Sequence, residues 1–393
     1  MDLSVDIGGL RLKNPLIVAA GAHGRDSRTM AHVASFGPGA VTTKTIVSQP
    51  AKDVLPCFAR VPGGFLNCVF GSTTGPDQWF GVDIPEAKRA GVTVIANLAG
   101  VTAEETADLA ERAALAGADI IEIPTICCHM KEILEAMFPG LVIDLPAIED
   151  PSPYVGILRT VKERTGLPLI AKLSAIFLNN TVDWAKAAKE GGADAVACSD
   201  ALGPALAVDV QTGEPLLGGP RGVGGLTGGA LKPISLRMCL EVAMNVDIDV
   251  IGVGGVSSAQ DALEYFMVGA KAVGACTSGH LRGPRAYSEI LKGLEESLEA
   301  REASLEDVRG LTTKRLEARK ALGTHVMTEP RIPQVIEERC NACGRCKDSC
   351  IYQAIHIDGI MVINNEACYG CGLCRQACPR MAILHDCFGG GPS

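Results

Sequence analysis

Ala103-Glu-Glu-Thr-Ala-Asp-Leu-Ala-Glu-Arg-Ala-Ala-Leu-Ala116 runs into Gly117-Ala118 and then into Asp119-Ile-Ile-Glu-Ile-Pro-Thr-Ile126. The first stretch spaces Ala107, Leu109, Ala110, Ala113 and Ala114 as one face of a helix, and Gly-Ala is a stop for a helix that must hand over to a strand. The third is an apolar, β-branched run of strand length. The same order recurs at Val182–Glu190, Gly192-Ala193 and Ala195–Asp200, and again at Ala259–Val268, Gly269-Ala270 and Ala272–Ser278.

Working outward, further apolar runs stand at Pro15–Ala20, Ala40–Thr45, Val92–Leu98, Pro168–Ser174 and Val250–Val256. With the three above they make eight strands alternating with helices, which predicts an α/β fold of the (β/α)8 TIM-barrel type. A doubly wound open sheet is the alternative, but neither Gly222-Val-Gly224 nor Gly252-Val-Gly254 completes the GxGxxG of a dinucleotide fold. The 393 residues are 47% hydrophobic and 21% charged, enough for a large core. A net charge of -9 argues against nucleic acid or an anionic membrane as partner. No apolar run reaches the length of a membrane span and no signal peptide opens the chain, so a cytoplasmic protein is expected.

Barrel chemistry sits at the C-terminal strand ends, and here those ends carry Gly21, Lys44, Asn97, Cys127, Lys172, Asp200, Gly254-Gly255 and Thr277. Two lysines, a thiol and an acid converging there are poorly explained by packing, although each alone could be a structural pair or an inert core group. The small residues at Gly254-Gly255 and Gly274-Ala-Cys-Thr277 suit a phosphorylated cofactor such as FMN.

Beyond the barrel, residues 299–330 are charge-rich and read as an exposed helical connector; Pro330 and Pro333 mark the next boundary. The expected division is thus 1–298, 299–330 and 331–393. Eight of the sixteen cysteines follow, as Cys340-x2-Cys343-x2-Cys346-x3-Cys350 and Cys368-x2-Cys371-x2-Cys374-x3-Cys378-Pro379. This is the spacing of a two-cluster ferredoxin, in which the fourth cysteine of each run serves the other run's cluster. Two [4Fe-4S] clusters are expected, on Cys340, Cys343, Cys346 and Cys378 and on Cys350, Cys368, Cys371 and Cys374; zinc is the alternative. Cys57, Cys198, Cys239 and Cys387 are read as bystanders.

Asn14-Pro15, Thr43-Lys44-Thr45, Phe65-Leu66-Asn67, Val94-Ile-Ala-Asn97, Glu122-Ile-Pro-Thr-Ile-Cys127, Ala171-Lys172-Leu173, Gly225-Leu-Thr-Gly228 and Gly254-Gly255 resemble, in order, the motifs of the class 1 dihydroorotate dehydrogenase family. The tail, with Cys127-x-His129, is similar to the dihydropyrimidine dehydrogenase branch. The resemblance implies an oxidoreductase in which hydride passes between FMN and a carbon of a C=C/CH-CH pair, with electrons leaving through the clusters. An FAD and NAD(P)H reductase subunit or a ferredoxin is the implied partner, and a homodimer or hetero-oligomer the implied assembly. It assigns Lys44 and Lys172 to the flavin as catalytic cations, Ala20, Gly21 and Asn97 to its ring, and Gly228, Gly254, Gly255, Cys276 and Thr277 to its phosphate. Cys127 becomes the general acid/base, with Cys128 in reserve; Asn67, His129, Asp200 and Cys128 become substrate residues.

Two positions depart from that family. Pro124 and Asp200 stand where it has substrate-binding asparagines, so one amide is deleted and another becomes an acceptor-only group. The substrate expected is therefore an activated alkene or its reduced form, not necessarily a standard pyrimidine. Two alternatives stay open: an electron-transfer subunit without a substrate of its own, and a dihydroorotate dehydrogenase. The stretch from His129 to Pro153 reads as a lid or as a subunit contact.

Overall fold

The computed structural model describes residues 2–125, 150–323 and 330–385. Its contacts divide the chain into two compact units, Met1–Arg315 and Leu316–Ser393.

The first unit is a closed parallel barrel of strands β1 (Leu16–Val18), β2 (Ala40–Thr42), β3 (Val94–Asn97), β4 (Ile120–Pro124), β5 (Leu169–Leu173), β6 (Ala195–Cys198), β7 (Asp249–Val253) and β8 (Ala272–Ala275), each paired to its sequence neighbours and β8 to β1. All eight expected strands are present in the expected order. Parallel strands are covered on both faces, so they are apolar throughout: every residue of β3 and β5 is buried. The quoted stretch behaves as its pattern dictates. Thr102 caps the helix Ala103–Leu115 by accepting from the Glu105 N–H at 3.1 Å. Gly117, at φ 99°, then turns the chain into β4, a conformation that a β-carbon would strain.

The residue after each Gly-Ala stop has a consequence at the N-terminal end of the barrel. Asp119 accepts from Lys88 Nζ at 2.7 Å and from the Val94 N–H at 2.7 Å. Asp194 accepts from Lys162 Nζ at 2.7 Å and the Leu169 N–H at 2.8 Å. Asp249, opening β7, pairs with Lys271 at 2.5 Å and accepts from the Gly8 N–H at 3.3 Å. Each acid closes both a lysine and a backbone donor, and the first two thereby tie neighbouring strands together.

Two long excursions leave the opposite end, after β2 and after β6. They meet in a four-stranded antiparallel sheet ordered Leu202–Leu206, Val223–Thr227, Gly64–Asn67 and Phe58–Val61, with a small core of Ala59, Leu66, Cys68 and Leu217. The charged stretch after the barrel is helical at Leu305–Val308 and Leu311–Leu322, and the latter buries no residue. No helix among the described residues is long and apolar enough to cross a membrane.

The second unit is a duplication 28 residues apart, Cys340 to Cys368. Short helices Arg345–Asp348 and Leu373–Ala377 follow Gly344 and Gly372, which sit at φ 79° and 78°. Ribbons Gln334–Val335 with Ile383–Leu384 and Ile355–Asp358 with Ile360–Ile363 frame a core of Cys346, Ile355, Met361, Cys374 and Ile383.

Candidate active site

The C-terminal ends of β3, β4, β5 and β6 bring four polar side chains together. Lys172, on β5, is 7% exposed, and its Nζ lies 3.3 Å from Asp200 Oδ2, just past β6. Glu122, the one acid inside the apolar β4, is buried and accepts from Asn97 Nδ2 at 2.6 Å. Burial alone would lower the Lys172 ammonium, but the carboxylates of Asp200 and Glu122 outweigh it and hold the lysine above its ordinary value. Burial raises the Glu122 carboxyl, with Lys172 and Asn97 opposing and Asp200 adding to the rise. The two acids thus favour the charged lysine.

Asp200 already has partners within the site. A lone carboxylate there would repel a carbonyl oxygen; instead it is engaged with Lys172 and accepts from the Ala201 N–H at 2.8 Å. Pro124 is the last residue of β4 and stands opposite Lys172 in the strand register. Its side chain brings no hydrogen-bonding group to that position.

Gly21 packs against the β8 end so closely that a β-carbon would lie 2.5 Å from Cys276 Sγ, itself 3.6 Å from the Ala20 carbonyl oxygen. Burial pushes the Cys276 thiol up to about 11, against the opposing pull of Lys172 and Lys44, so the neutral thiol is favoured. Lys44 donates to the Phe70 carbonyl. His280 lies 3.7 Å from Cys276 Sγ, and its imidazole is lowered by burial and then by Lys44. Around the β7 and β8 ends, Gly254 and Gly255 sit at φ 125° and 74°. A β-carbon on Gly255 would lie 2.8 Å from the Gly228 carbonyl oxygen, and one on Gly228 3.2 Å from Thr277 Cγ2. Thr277 Oγ1 donates to Thr227 Oγ1 at 3.1 Å. Asn67 comes in from the excursion after β2, its Nδ2 donating to the Gly225 carbonyl at 3.3 Å.

Cys127, Cys128 and His129 lie outside the described residues, as does nearly all of the stretch proposed as a lid. Sequence reasoning quoted Glu122 without giving it a role; its signal was an acid alone among isoleucines on a strand. It also missed His280 and the bond from His23 Nδ1 to Tyr287 Oη at 2.8 Å, because nothing local marks the loops that meet there.

The fit to FMN can be tested on what the face leaves unfinished. Asn97 Oδ1, Thr42 Oγ1 and Ser174 Oγ are buried without a hydrogen-bond partner among the described residues, all at strand ends. An unpaired buried polar atom costs about 1–3 kcal/mol, so three on one face point to a polar group that completes them. Glycines at 228, 254 and 255 keep side chains out of the adjoining cradle. The residues present fit FMN.

In the second unit, Cys340, Cys343, Cys346 and Cys378 line one cavity, and Cys350, Cys368, Cys371 and Cys374 line another. These are the two crossed sets that the spacing predicts. A single zinc ion would hold four sulfurs at about 2.3 Å from one point. No trio of His, Cys, Asp or Glu among the described residues is gathered to hold a lone ion.

Residues 2–298 match the family described as dihydroorotate dehydrogenase, and residues 334–382 match the 4Fe-4S dicluster domain. Among relatives, the catalytic subunit of dihydroorotate dehydrogenase B (NAD(+)) from Geotalea uraniireducens is 35% identical over 315 residues, covering 79% of this chain and 97% of the relative. The proteins of the same description from Thermoanaerobacter sp. (strain X514) and Alkaliphilus metalliredigens are 34% and 31% identical, covering 75% and 79% of this chain and 93% and 98% of theirs. These relatives bear the name of the dihydroorotate dehydrogenase alternative, and none of the three is described as a dihydropyrimidine dehydrogenase.

Proposed function

The chain belongs to the dihydroorotate dehydrogenase family and is an oxidoreductase acting on CH-CH bonds, and from that premise we propose that it interconverts a dihydropyrimidine and its unsaturated form at an FMN-bearing barrel mouth, passing electrons through two [4Fe-4S] clusters. Dihydroorotate and orotate are the first substrates in view, on the names of the relatives. The observation that carries the reading is Lys172, buried and held charged between Glu122 and Asp200 beside the orphaned Asn97 Oδ1.

FMN, when bound, supplies the acceptor for a substrate hydride and releases the two electrons singly. Lys172 would sit at the side of the ring where negative charge collects, a preset cation that needs no reorganisation. Asn97, oriented by its bond to Glu122, would turn Oδ1 toward the ring. Gly228, Gly254, Gly255 and Thr277 would receive the phosphate. Cys127, carried over from the family's motif, would take the proton from the carbon adjacent to the one that loses hydride. Over the whole oxidation the substrate gives up two electrons and two protons, one with the hydride and one to this base.

A second reading, dihydropyrimidine dehydrogenase-like, is favoured by the C-terminal unit: the first relative is covered over 97% of its length by 79% of this chain, which leaves a fifth of the chain beyond it. The partner in either case is a flavin reductase subunit or a ferredoxin, in a reducing, cytoplasmic setting that keeps the sixteen cysteines out of disulfides.

Anaerobic reduction of the cluster-replete protein, then addition of orotate, uracil, thymine or buffer, separates the readings by flavin and cluster spectra. Reoxidation by orotate supports the first. Reoxidation by uracil or thymine alone supports the second. No reoxidation by any of them, with FMN and both clusters present, overturns the pyrimidine assignment.

A further inference from the structure

Four properties set the potential of an iron–sulfur cluster in a protein: cluster type, exposure, hydrogen bonds to sulfur and nearby charge. The two halves of the C-terminal unit are matched in the middle two. Each cysteine set has one exposed, one buried and two intermediate members. Each receives a backbone N–H bond at sulfur, Ala382 to Cys378 at 3.3 Å in the first set and Ala354 to Cys350 at 3.4 Å in the second. Even the cation Lys347 has a counterpart 28 residues on, Arg375.

Charge breaks the match. Arg339, Arg345 and Arg380 line the cavity of the first set, and among the described residues no charged one lines the second. At the equivalent positions the other half has Ala367, Leu373 and Tyr352, the last stacked on Tyr369 with ring centroids 4.9 Å apart. Arg380 Nε donates to the Arg339 carbonyl at 3.2 Å, which fixes it across the mouth of the first cavity.

Reducing a cluster adds one negative charge, and a fixed cation beside it favours that state. Resting on the reading that each cavity holds a [4Fe-4S] cluster, we propose that the cluster on Cys340, Cys343, Cys346 and Cys378 is the higher-potential member, and that Arg339, Arg345 and Arg380 create the difference. The cluster on Cys350, Cys368, Cys371 and Cys374 is then the lower-potential relay. An electron entering at either one settles on the first. Because the arginines are exposed, salt narrows the gap.

The test is an anaerobic redox titration of the full chain followed by EPR, after iron and sulfide analysis. Analysis short of two clusters removes the reading of the cavities, and this inference with it. With two clusters present, two one-electron steps are expected. Arg345→Leu and Arg380→Tyr copy the opposite half, and each should lower the reduced-to-oxidised ratio of the higher step about threefold at fixed potential. Together they should give roughly tenfold, which is ~59 mV for one electron. Leu373→Arg should raise the lower step by a similar factor, which guards against a variant that merely fails to assemble. Arginine variants that move the lower step, or neither step with both clusters intact, overturn the assignment. So does an effect confined to the salt dependence of electron transfer to a partner, which would make the arginines a docking surface.

Discussion

The two ends of the barrel use the same ions to opposite purposes. At the N-terminal end Asp119, Asp194 and Asp249 each meet one lysine and one backbone N–H. At the C-terminal end one lysine, Lys172, is shared by two acids, and the asparagine that steadies Glu122 keeps an unpaired carbonyl oxygen. The first arrangement is closed, with a donor for every acceptor, and its product is strand order. The second is incomplete by itself. Its excess of buried, mutually constrained polar groups makes sense only with something bound, and burial separates them further: the Lys172 side chain is 8% exposed where Lys162 is 31%. Which lysine serves chemistry is therefore read from what its surroundings leave open, since residue type alone does not distinguish them.

The sharpest way to break this contrast is to remove one lysine from each end. Lys172→Met should cost roughly 10^2–10^3 in turnover, the magnitude of losing one preset charge at a reacting centre. Its melting temperature should stay near that of the parent, because Met fills the volume and Glu122 can protonate. Turnover within a few-fold of the parent would remove Lys172 from the chemistry. Next in size, Asp194→Ala at the closed end strips Lys162 and the Leu169 N–H of their acceptor and should cost about 1–3 kcal/mol in denaturant unfolding, less the screening of a part-exposed pair. Its activity per folded molecule should be unchanged. A matching loss of turnover would mean the two ends are not separable.

The contrast also explains what could be read in advance. Eight strands were legible because the Gly-Ala stops and apolar runs are local, and a parallel strand buried on both faces leaves no ambiguity of side. The cysteine sets were legible for the same reason: their spacing is a local constraint on one inorganic core. The lysine network was legible only in part. Lys172 and Asp200 were found as strand-end residues, but that Asp200 serves Lys172 before any substrate depends on β5 and β6 lying side by side. Glu122 lacked a role because its partners, Asn97 and Lys172, come from strands on either side. The sheet that carries Asn67 to Gly225 joins excursions 158 residues apart, a distance that no periodicity reports.

The smallest effect lies at the rim of the open end, in His23. Its ring is edge-on to His280 at 4.9 Å between centroids and its Nδ1 meets Tyr287 Oη at 2.8 Å. Burial, then the neighbouring charges of His280 and His32, hold its imidazole down to about 4, against 6.5 for the free side chain. In the unfolded chain His23 takes up a proton as pH falls through 6.5, while the folded protein stays neutral there until about 4. Unfolding thus binds protons in that window, so this contribution to stability is complete above pH 6.5 and is lost progressively down to pH 4. His280, lowered in the same direction, adds its own part. His23→Gln keeps a polar group for Tyr287 and removes the proton uptake, so its stability should fall less between pH 7 and pH 5 than the parent's. Equal losses in chemical denaturation at the two pH values would show that His23 takes up its proton in the fold as it does in the unfolded chain, and its packing against His280 and Tyr287 would then carry no pH-dependent stability.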